Sequence, residues 1–450
     1  MKKITKKSAL IRLAGKKIAL LGFGSDNQAL LALLDKHRIK AEITICDARS
    51  LASLPAVKSA YSKISYRLGK DFNKNLFEFE ILFRAPGWPV SCPGIQEALK
   101  KGRTELSSPL NLFFLLCPAK NIIGVTGTKG KGTTASLIYK ILHDAKKRVW
   151  LGGNIGIPPL GFLDKIKPAD FVVLELSSFQ LEDLEYSPRF AVITNLFREH
   201  LAPADPNNPN FHPSYSAYWQ AKIRIAKNIG NDYLIVNKSL AAKIRRTRLN
   251  EAAGSRTKII YFGVSSLSSG LVGDFNRKNI AAAVAVADLL KIKPSSYKKT
   301  IAKFSNLEHR LEFVKEIKGV RYFDNSFSTT PESTDLDLKS FSEPLIQIAG
   351  GADKGADFRP LARTIAKKVK SLILLPGKAT PRFKKAVIAA GFPKSRIKPA
   401  ADMKEAVDIA KSQSRRGDVV LLSTACASFG IFKNYKERGD LFKKYVRSER

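Results

Sequence analysis

The chain has 450 residues, 44% of them hydrophobic, enough for a sizeable core and for two to four domains, because one core rarely grows past roughly 250–300 residues. Lys and Arg outnumber Asp and Glu by 77 to 39, a net charge of +38, yet they are spread along the whole length. With no long basic tail and no aromatic-interleaved RNA motif, the charge suits anionic substrates better than a dedicated nucleic-acid partner. The four cysteines (Cys46, Cys92, Cys117, Cys426) lie far apart and form no C-x-x-C pair, which argues against a zinc ribbon or disulfide scaffold and fits a reducing cytoplasm.

The N-terminal Met1-Lys-Lys-Ile-Thr-Lys-Lys is basic like the start of a signal peptide, but Arg12, Lys16 and Lys17 break the apolar stretch behind it. No uninterrupted apolar run approaches the roughly 18 residues of a membrane span. A strand then runs from Lys16 into Gly22-Phe-Gly24, followed by a helix over Asn27–Lys36 and a second strand over Ala41–Asp47. This is the outline of a dinucleotide-type βαβ unit with Asp47 placed to meet a ribose or base. Only two glycines of the fingerprint are present, since Asn27 stands at the third, and an ordinary βα turn would read the same way. Glu80–Trp88 is a further strand ending in Pro86-Gly87, and Glu105-Leu-Ser-Ser-Pro109 reads as a linker.

Ile122-Ile-Gly-Val-Thr-Gly-Thr-Lys-Gly-Lys-Gly-Thr-Thr134 combines an apolar run, a glycine-rich turn and a helix start that continues over Ala135–Leu142. Such turns let backbone N–H groups and the positive helix end converge on a phosphate. Lys131 would reach the outer phosphates, and a hydroxyl after it would normally hold Mg²⁺. The pattern departs from the common phosphate loop at Val125, where a first glycine is usual, and at Gly132, where Ser or Thr is usual. A glycine turn in a lysine-rich chain is the plainer alternative.

The strand Phe171–Glu175 ends in a carboxylate, the usual position of a Mg²⁺ ligand beside a phosphate loop, although a strand-end acid in a salt bridge would look alike. Phe190–Asn195 is the next strand, and Glu199-His200 follows it in a chain with only five histidines. An insert from Ala202 to Pro213 precedes a helix over Ser216–Ala226, in which Lys222 is not distinguished by pattern. Strands at Asp232–Asn237 and Lys258–Gly263 lead to an alanine-rich helix after Gly273, with Asn276 and Asn279 on one face of its first turn. From Asn306 onward strand, loop and helix repeat, with strands at Gly319–Asp324, Pro344–Gly351, Ser371–Gly377 and Asp418–Ser423. Their following loops are rich in hydroxyls, glycine and single charges, the composition of ligand loops in open α/β sheets.

In order, Thr126-Gly-Thr-Lys-Gly-Lys-Gly-Thr-Thr134, Gly153-Asn-Ile-Gly156, Glu175-Leu-Ser-Ser-Phe-Gln-Leu-Glu182, Asn195 with Glu199-His200-Leu201, Asn276-x-x-Asn279, His309-Arg310 and Gly350-Gly-x-Asp-Lys-Gly-Ala-Asp357 resemble the Mur ligase family over essentially the whole chain. Within it, Leu176–Gln180 and Ala425–Ser428 point to the D-glutamate-adding members. The resemblance implies an α/β protein of three domains: a Rossmann-like UDP-substrate domain (1–107), a central P-loop ATPase with a mostly parallel sheet (108–305) and a Rossmann-like amino-acid domain (306–450). It implies a monomeric cytoplasmic enzyme that activates the carboxylate of UDP-N-acetylmuramoyl-L-alanine with ATP as an acyl phosphate, which the D-glutamate amine attacks.

Carried over by position, Gly127, Thr128, Lys129, Gly130, Lys131, Gly132, Thr133 and Thr134, with Asn276, Arg310 and Asn325, would bind ATP. Thr133 and Glu175 would hold one Mg²⁺. His200 and Lys222 would hold a second, Lys222 as a carbamate, and Lys131, Glu175, His200 and Lys222 form the catalytic set. Gly22, Ser25, Asp47, Arg49, Pro86, Gly87 and Asn154 would line the UDP-substrate site, and Thr329, Lys354, Ser428 and Tyr435 the D-glutamate site. Phe275 and Phe327 stand where relatives often have His and Lys, and Tyr435 where Phe is usual. Two alternatives stay open: a sister ligase adding another amino acid or glutamyl units to a folate, and a nucleotide-regulated nucleic-acid-binding protein.

Overall fold

The structure is a computed structural model that describes residues 10–57, 59, 61, 64–201, 210–227, 232–247 and 257–448. It divides into two compact units, Met1–Ser265 with Lys278–Thr300, and Ser266–Arg277 with Ile301–Arg450. The first unit carries two sheets and the second carries one.

The first sheet holds β1 (Lys17–Leu21), β2 (Glu42–Asp47), β3 (Ile64–Leu68), β4 (Ile81–Arg84) and β5 (Glu105–Ser107) in the order β3-β2-β1-β4-β5. Every pairing is parallel. Parallel strands are covered on both faces, and Ile18, Ala19, Leu20 and Leu21 are accordingly all buried. The strand order reverses between β1 and β4, which opens a crevice beyond their carboxyl ends. Asn27, at the missing third glycine, is what closes the β1 turn: its amide donates to the carbonyls of Gly22 (2.8 Å) and Phe83 (3.2 Å). The expected linker at Glu105–Pro109 is instead the edge strand β5 and the start of the helix Pro109–Leu116. Ser108 caps that helix by accepting from the Asn111 N–H, and Pro109 sits in its first turn. Serine and proline there mark a helix start as well as they mark a linker.

The second sheet has β6 (Asn121–Thr126), β7 (Val149–Gly153), β8 (Phe171–Glu175), β9 (Phe190–Ile193), β10 (Tyr233–Asn237) and β11 (Lys258–Phe262), ordered β11-β10-β9-β6-β8-β7. It too is wholly parallel. The chain leaves β6 toward β7 and β8 on one side, then crosses to β9 on the other. The tips of β8 and β9 therefore flank the tip of β6, where ligands gather in such sheets. One continuous apolar core serves both sheets, running from Leu30, Leu33 and Phe83 through Phe113 and Phe162 to Leu174 and Ile193.

In the second unit β12 (Glu312–Ile317), β13 (Val320–Asp324), β14 (Leu345–Ala349), β15 (Val369–Leu374), β16 (Ile397–Pro399) and β17 (Val419–Leu422) are ordered β12-β13-β17-β14-β15-β16. Only β12 runs antiparallel, joined to β13 by a two-residue turn, Lys318-Gly319, with positive φ at both positions. The late strand β17 inserts between β13 and β14, so the loops after all three open side by side.

Arg84, at the tip of β4, is almost wholly buried and forks onto both carboxylate oxygens of Asp183 at 2.8 and 2.9 Å. It also donates to the carbonyls of Trp88 and Phe179, each at 2.7 Å. One guanidinium thus ties the loop after β4 to the segment after β8. Replacing Arg84 with Met strands a buried carboxylate, a change that costs about 3–5 kcal/mol. Urea unfolding should register a loss of that size, and adding Asp183→Asn to the same chain should recover part of it.

Candidate active site

The turn after β6 is fixed from below by β9. Asn195 accepts from the Lys129 N–H and donates to the Lys129 carbonyl, both at 2.8 Å, and Thr194 Oγ1 donates to that carbonyl at 2.7 Å. Gly127 has φ +146° and Gly130 φ +78°; a Cβ on the first would collide with Thr194 Oγ1, and on the second with the Asn279 side chain. Glycine is therefore required at both by conformation and by space. Gly130 caps the helix Lys131–Asp144, whose first turn holds Gly132, Thr133 and Thr134. The helix begins at Lys131, so the free N–H groups of its first turn open at the mouth of the turn.

Glu175, at the tip of β8, is 2% exposed. Its Oε1 accepts from Asn154 Nδ2 at 2.8 Å, whereas Oε2 is buried without a hydrogen-bond partner among the described residues. The Thr134 hydroxyl, in the first helical turn, is buried in the same unpartnered way. Orphaned carboxylate oxygens of this kind are costly unless something binds them.

Lys222, on the helix Tyr215–Ile223, is 1% exposed and points its amine at the Gly127 carbonyl, 2.8 Å away. The amine also lies 4.6 Å from the centroid of Tyr218, whose hydroxyl meets Thr128 Oγ1 at 3.0 Å. Burial first, and then the nearby Lys131 cation, push its pKa well below the ordinary lysine value against the pull of Glu199 and Glu175. That shift favours the uncharged amine, which is the nucleophilic form. Lys131 donates to the Thr128 carbonyl at 3.0 Å, folded back onto its own turn.

His200 follows β9 with φ +58°, an uncommon conformation for a residue with a side chain. Its ring meets Phe179 edge-on, 4.9 Å between centroids. Loss of solvation, reinforced by Lys131, Lys222 and Lys129 against Glu199, lowers its pKa to about 4, leaving the imidazole neutral and able to ligate. Glu199 pairs with Lys129 at 2.8 Å, and the surrounding cations outweigh its burial to hold it at about 2.

The first unit thus brings together the turn 127–134, Asn154, Glu175, His200 and Lys222 around the tip of β6. At the tip of β2 the Asp47 carboxylate accepts from the Phe23 N–H at 2.8 Å and pairs with Arg49 at 2.7 Å. Gly22 and Ser25 lie at the turn after β1, and Pro86 and Gly87 after β4, on the two sides of that sheet's crevice. The sequence did not single out His212. It is buried, stacks on Phe179 at 5.0 Å, and lies within 2.9 Å of Ser178 Oγ and 3.3 Å of Glu182. Its partners lie in distant segments, so only its position ten residues before Lys222 in a histidine-poor chain could have flagged it. Most of the expected insert, 202–209, lies outside the described residues.

In the second unit Asn325, Phe327 and Thr329 follow β13, Lys354 follows β14, and Ser428 and Tyr435 follow β17. Arg310 stacks over Phe327 at 3.7 Å, and Phe327 meets Tyr435 edge-on at 5.1 Å, so two of the unusual residues pack on each other. Lys354 lies 5.5 Å from the centroid of the half-exposed Phe429. Asn276 donates to the Val272 carbonyl at 2.7 Å in the loop before its helix. The wholly buried Arg438 donates to Ser326 Oγ, Ser326 O and Cys426 O at 2.9, 2.8 and 3.1 Å, joining the loops after β13 and β17.

Residues 125–268 match the Mur ligase middle domain, and residues 309–426 match the Mur ligase, glutamate ligase domain. Curated relatives named UDP-N-acetylmuramoylalanine–D-glutamate ligase are similar over nearly the full length. That of Acetivibrio thermocellus is 36% identical, covering 97% of each chain, and that of Symbiobacterium thermophilum is 34% identical, covering 96% of this chain and 97% of its own. The chain belongs to the Mur ligase family. Among solved structures, the MurF ligase of Thermotoga maritima in complex with ADP superposes with TM-score 0.57 at 16% identity, covering 97% of this chain and 96% of its own. MurC of the same organism gives 0.55 at 16% identity, covering 96% and 100%. These two likenesses establish the shared fold.

The site carries a pH signature. His212, with a side chain 2% exposed, has its pKa lowered from 6.5 to about 4, mainly by burial. The unfolded chain therefore binds a proton between these values that the folded chain refuses, and folding stability falls as pH drops through that window. At 1.36 kcal/mol per pH unit the loss approaches about 2–3 kcal/mol. Urea unfolding at pH 7 and at pH 4.5 should show it, and His212→Gln should flatten that part of the slope.

Proposed function

We propose that this ligase joins D-glutamate to UDP-N-acetylmuramoyl-L-alanine at the expense of ATP, in the cytoplasm, as a monomer. The observation that carries the reading is the similarity, over nearly the whole of both chains, to relatives named for that reaction. The UDP substrate takes residues 1–107, ATP residues 108–305 and the amino acid residues 306–450, each domain offering the loops beyond its strand tips. Among the described residues no helix is long and apolar enough to cross a membrane.

A carboxylate is a poor electrophile. Transfer of the γ-phosphoryl group to it removes its charge and supplies phosphate as leaving group, after which the D-glutamate amine forms the amide. The backbone N–H groups of the turn 127–134 and the Lys131 cation offset the charge of the transferring group. Asn154 holds the Glu175 carboxylate in place. Lys354 supplies a cation for a D-glutamate carboxylate beside Thr329, Ser428 and Tyr435.

Two Mg²⁺ ions, when bound, would neutralise phosphate charge and polarise the acceptor carboxylate. The donor set suits them: Glu175 offers a buried oxygen with no hydrogen-bond partner among the described residues, and His200 a neutral imidazole. Lys222 fits once carbamylated. Its neutral amine attacks CO₂, an N–C bond forms, one proton leaves, and an amine becomes an oxygen ligand.

The deciding measurement is phosphate release by the purified chain. It should require UDP-N-acetylmuramoyl-L-alanine and D-glutamate together; faster turnover with L-lysine, diaminopimelate or a folate would overturn the assignment in favour of a sister ligase. For the hydroxyl missing at Gly132, Thr133 is the substitute. Thr133→Ala should therefore raise the Mg²⁺ concentration needed for half-maximal rate by roughly tenfold, the size of a lost ligand contact. An unchanged Mg²⁺ dependence would reject that role.

A further inference from the structure

Glu182 closes the Glu175–Glu182 run, and the reaction described above gives it no task. Its two oxygens meet two other segments, the end of β4 and the stretch Asn210–His212. Oε2 accepts from Asn210 Nδ2 at 3.0 Å and lies 3.4 Å from the Arg84 guanidinium. The same Asn210 amide donates to the Pro86 carbonyl at 2.8 Å, reaching the loop after β4. Oε1 lies 3.3 Å from His212 Nδ1, on the far side of the insert from His200.

His212 carries the connection onward. Its backbone N–H donates to the His200 carbonyl at 2.8 Å, so the residue with the left-handed backbone is tethered across the loop. Its ring stacks on Phe179 at 5.0 Å, and the same Phe179 meets the His200 ring at 4.9 Å. Tyr218 borders both imidazoles, at 5.1 and 6.2 Å, and carries the Lys222 amine against its ring at 4.6 Å. A proton on His212 Nδ1 faces the Glu182 carboxylate, which leaves Nε2 to accept from the Ser178 hydroxyl at 2.9 Å. Each ring nitrogen then has one partner, and the imidazole is fixed in tautomer and tilt.

We infer that Glu182 and His212 are positioning residues that aim His200, through the Phe179 ring and the His200 carbonyl, at the tip of β6. The inference rests on His200 as a metal ligand. Both groups sit outside the reacting atoms and act by holding a ligand whose own backbone conformation is unfavourable without the tether. The same carboxylate holds Pro86 through Asn210, so the loop of the UDP-substrate crevice and the loop of the metal ligand are registered to one anchor.

The test is Mn²⁺ binding to the full chain in the presence of ADP, followed by the loss of the free-ion paramagnetic signal, beside ADP affinity and melting temperature. His212→Ala should weaken Mn²⁺ roughly tenfold, the usual effect of removing an outer-shell partner, with ADP affinity unchanged. His212→Gln, which keeps an amide N–H for Glu182, should recover part of the loss and stays informative if the alanine variant folds poorly. His200→Ala is the reference. If it weakens Mn²⁺ while both His212 variants bind as the parent does, the positioning role is overturned. If His200→Ala itself leaves Mn²⁺ binding intact, the ligand assignment beneath it fails and takes the inference with it. Equal losses of ADP and Mn²⁺ affinity with a lowered melting temperature would reduce His212 to a folding element and overturn the inference as well.

Discussion

A carboxylate and an amine buried at one strand tip without an ion pair, among the described residues, set the terms for the first unit. Glu175 keeps one oxygen unpartnered, and Lys222 has only a backbone carbonyl and a tyrosine ring. Desolvating such groups costs several kcal/mol, and a protein selected for stability alone would replace them with apolar residues. The surrounding fold holds them in place regardless: β8 fixes Glu175 through the Val125 register, and the helix Tyr215–Ile223 delivers Lys222 beneath the turn. Groups arranged in this way gain most from a bound anion or divalent ion, which supplies the missing pairing.

The same economy explains the charge arrangement. Lys129 is neutralised by Glu199 and tied at both backbone groups by Asn195, so it shapes the turn. Lys131 is retained within the turn by the Thr128 carbonyl, a bond a phosphate can replace at little cost. Lys222 is fully enclosed, and burial draws its pKa well below the ordinary lysine value. The three lysines thus have three different sets of partners: a carboxylate for Lys129, a carbonyl of its own turn for Lys131, and a carbonyl and a tyrosine ring for Lys222.

The two turns that break a glycine pattern were legible in the sequence as departures, and their consequences were not. Asn27 reads as a failed fingerprint, yet its amide bonds to the turn that a third glycine would have packed against. Strand tips and phosphate loop followed from short-range pattern: apolar runs, glycine, and a carboxylate or asparagine at the end. What escaped was whatever depends on distant partners. Glu105–Ser107 became an edge strand because β4 offered it a ladder, and the contacts of His212 come from Glu182, Ser178 and Phe179, all about thirty residues away. Local sequence encodes turns and caps; it does not encode which loops close on each other.

Gly132 remains the point at which sequence and geometry meet most sharply. Its lack of a side chain removes the hydroxyl expected beside Lys131, while two threonines follow at once in the same helical turn. A helix advances 100° per residue, so Thr133 and Thr134 cannot both face the mouth of the turn. Both are buried, Thr133 at 6% and Thr134 at 0% exposure, and the Thr134 hydroxyl has no hydrogen-bond partner among the described residues. The hydroxyl that serves a bound ion must come from the residue whose direction admits one. The role proposed for Thr133 keeps the first turn wound, since it follows Gly132 directly in the same helix.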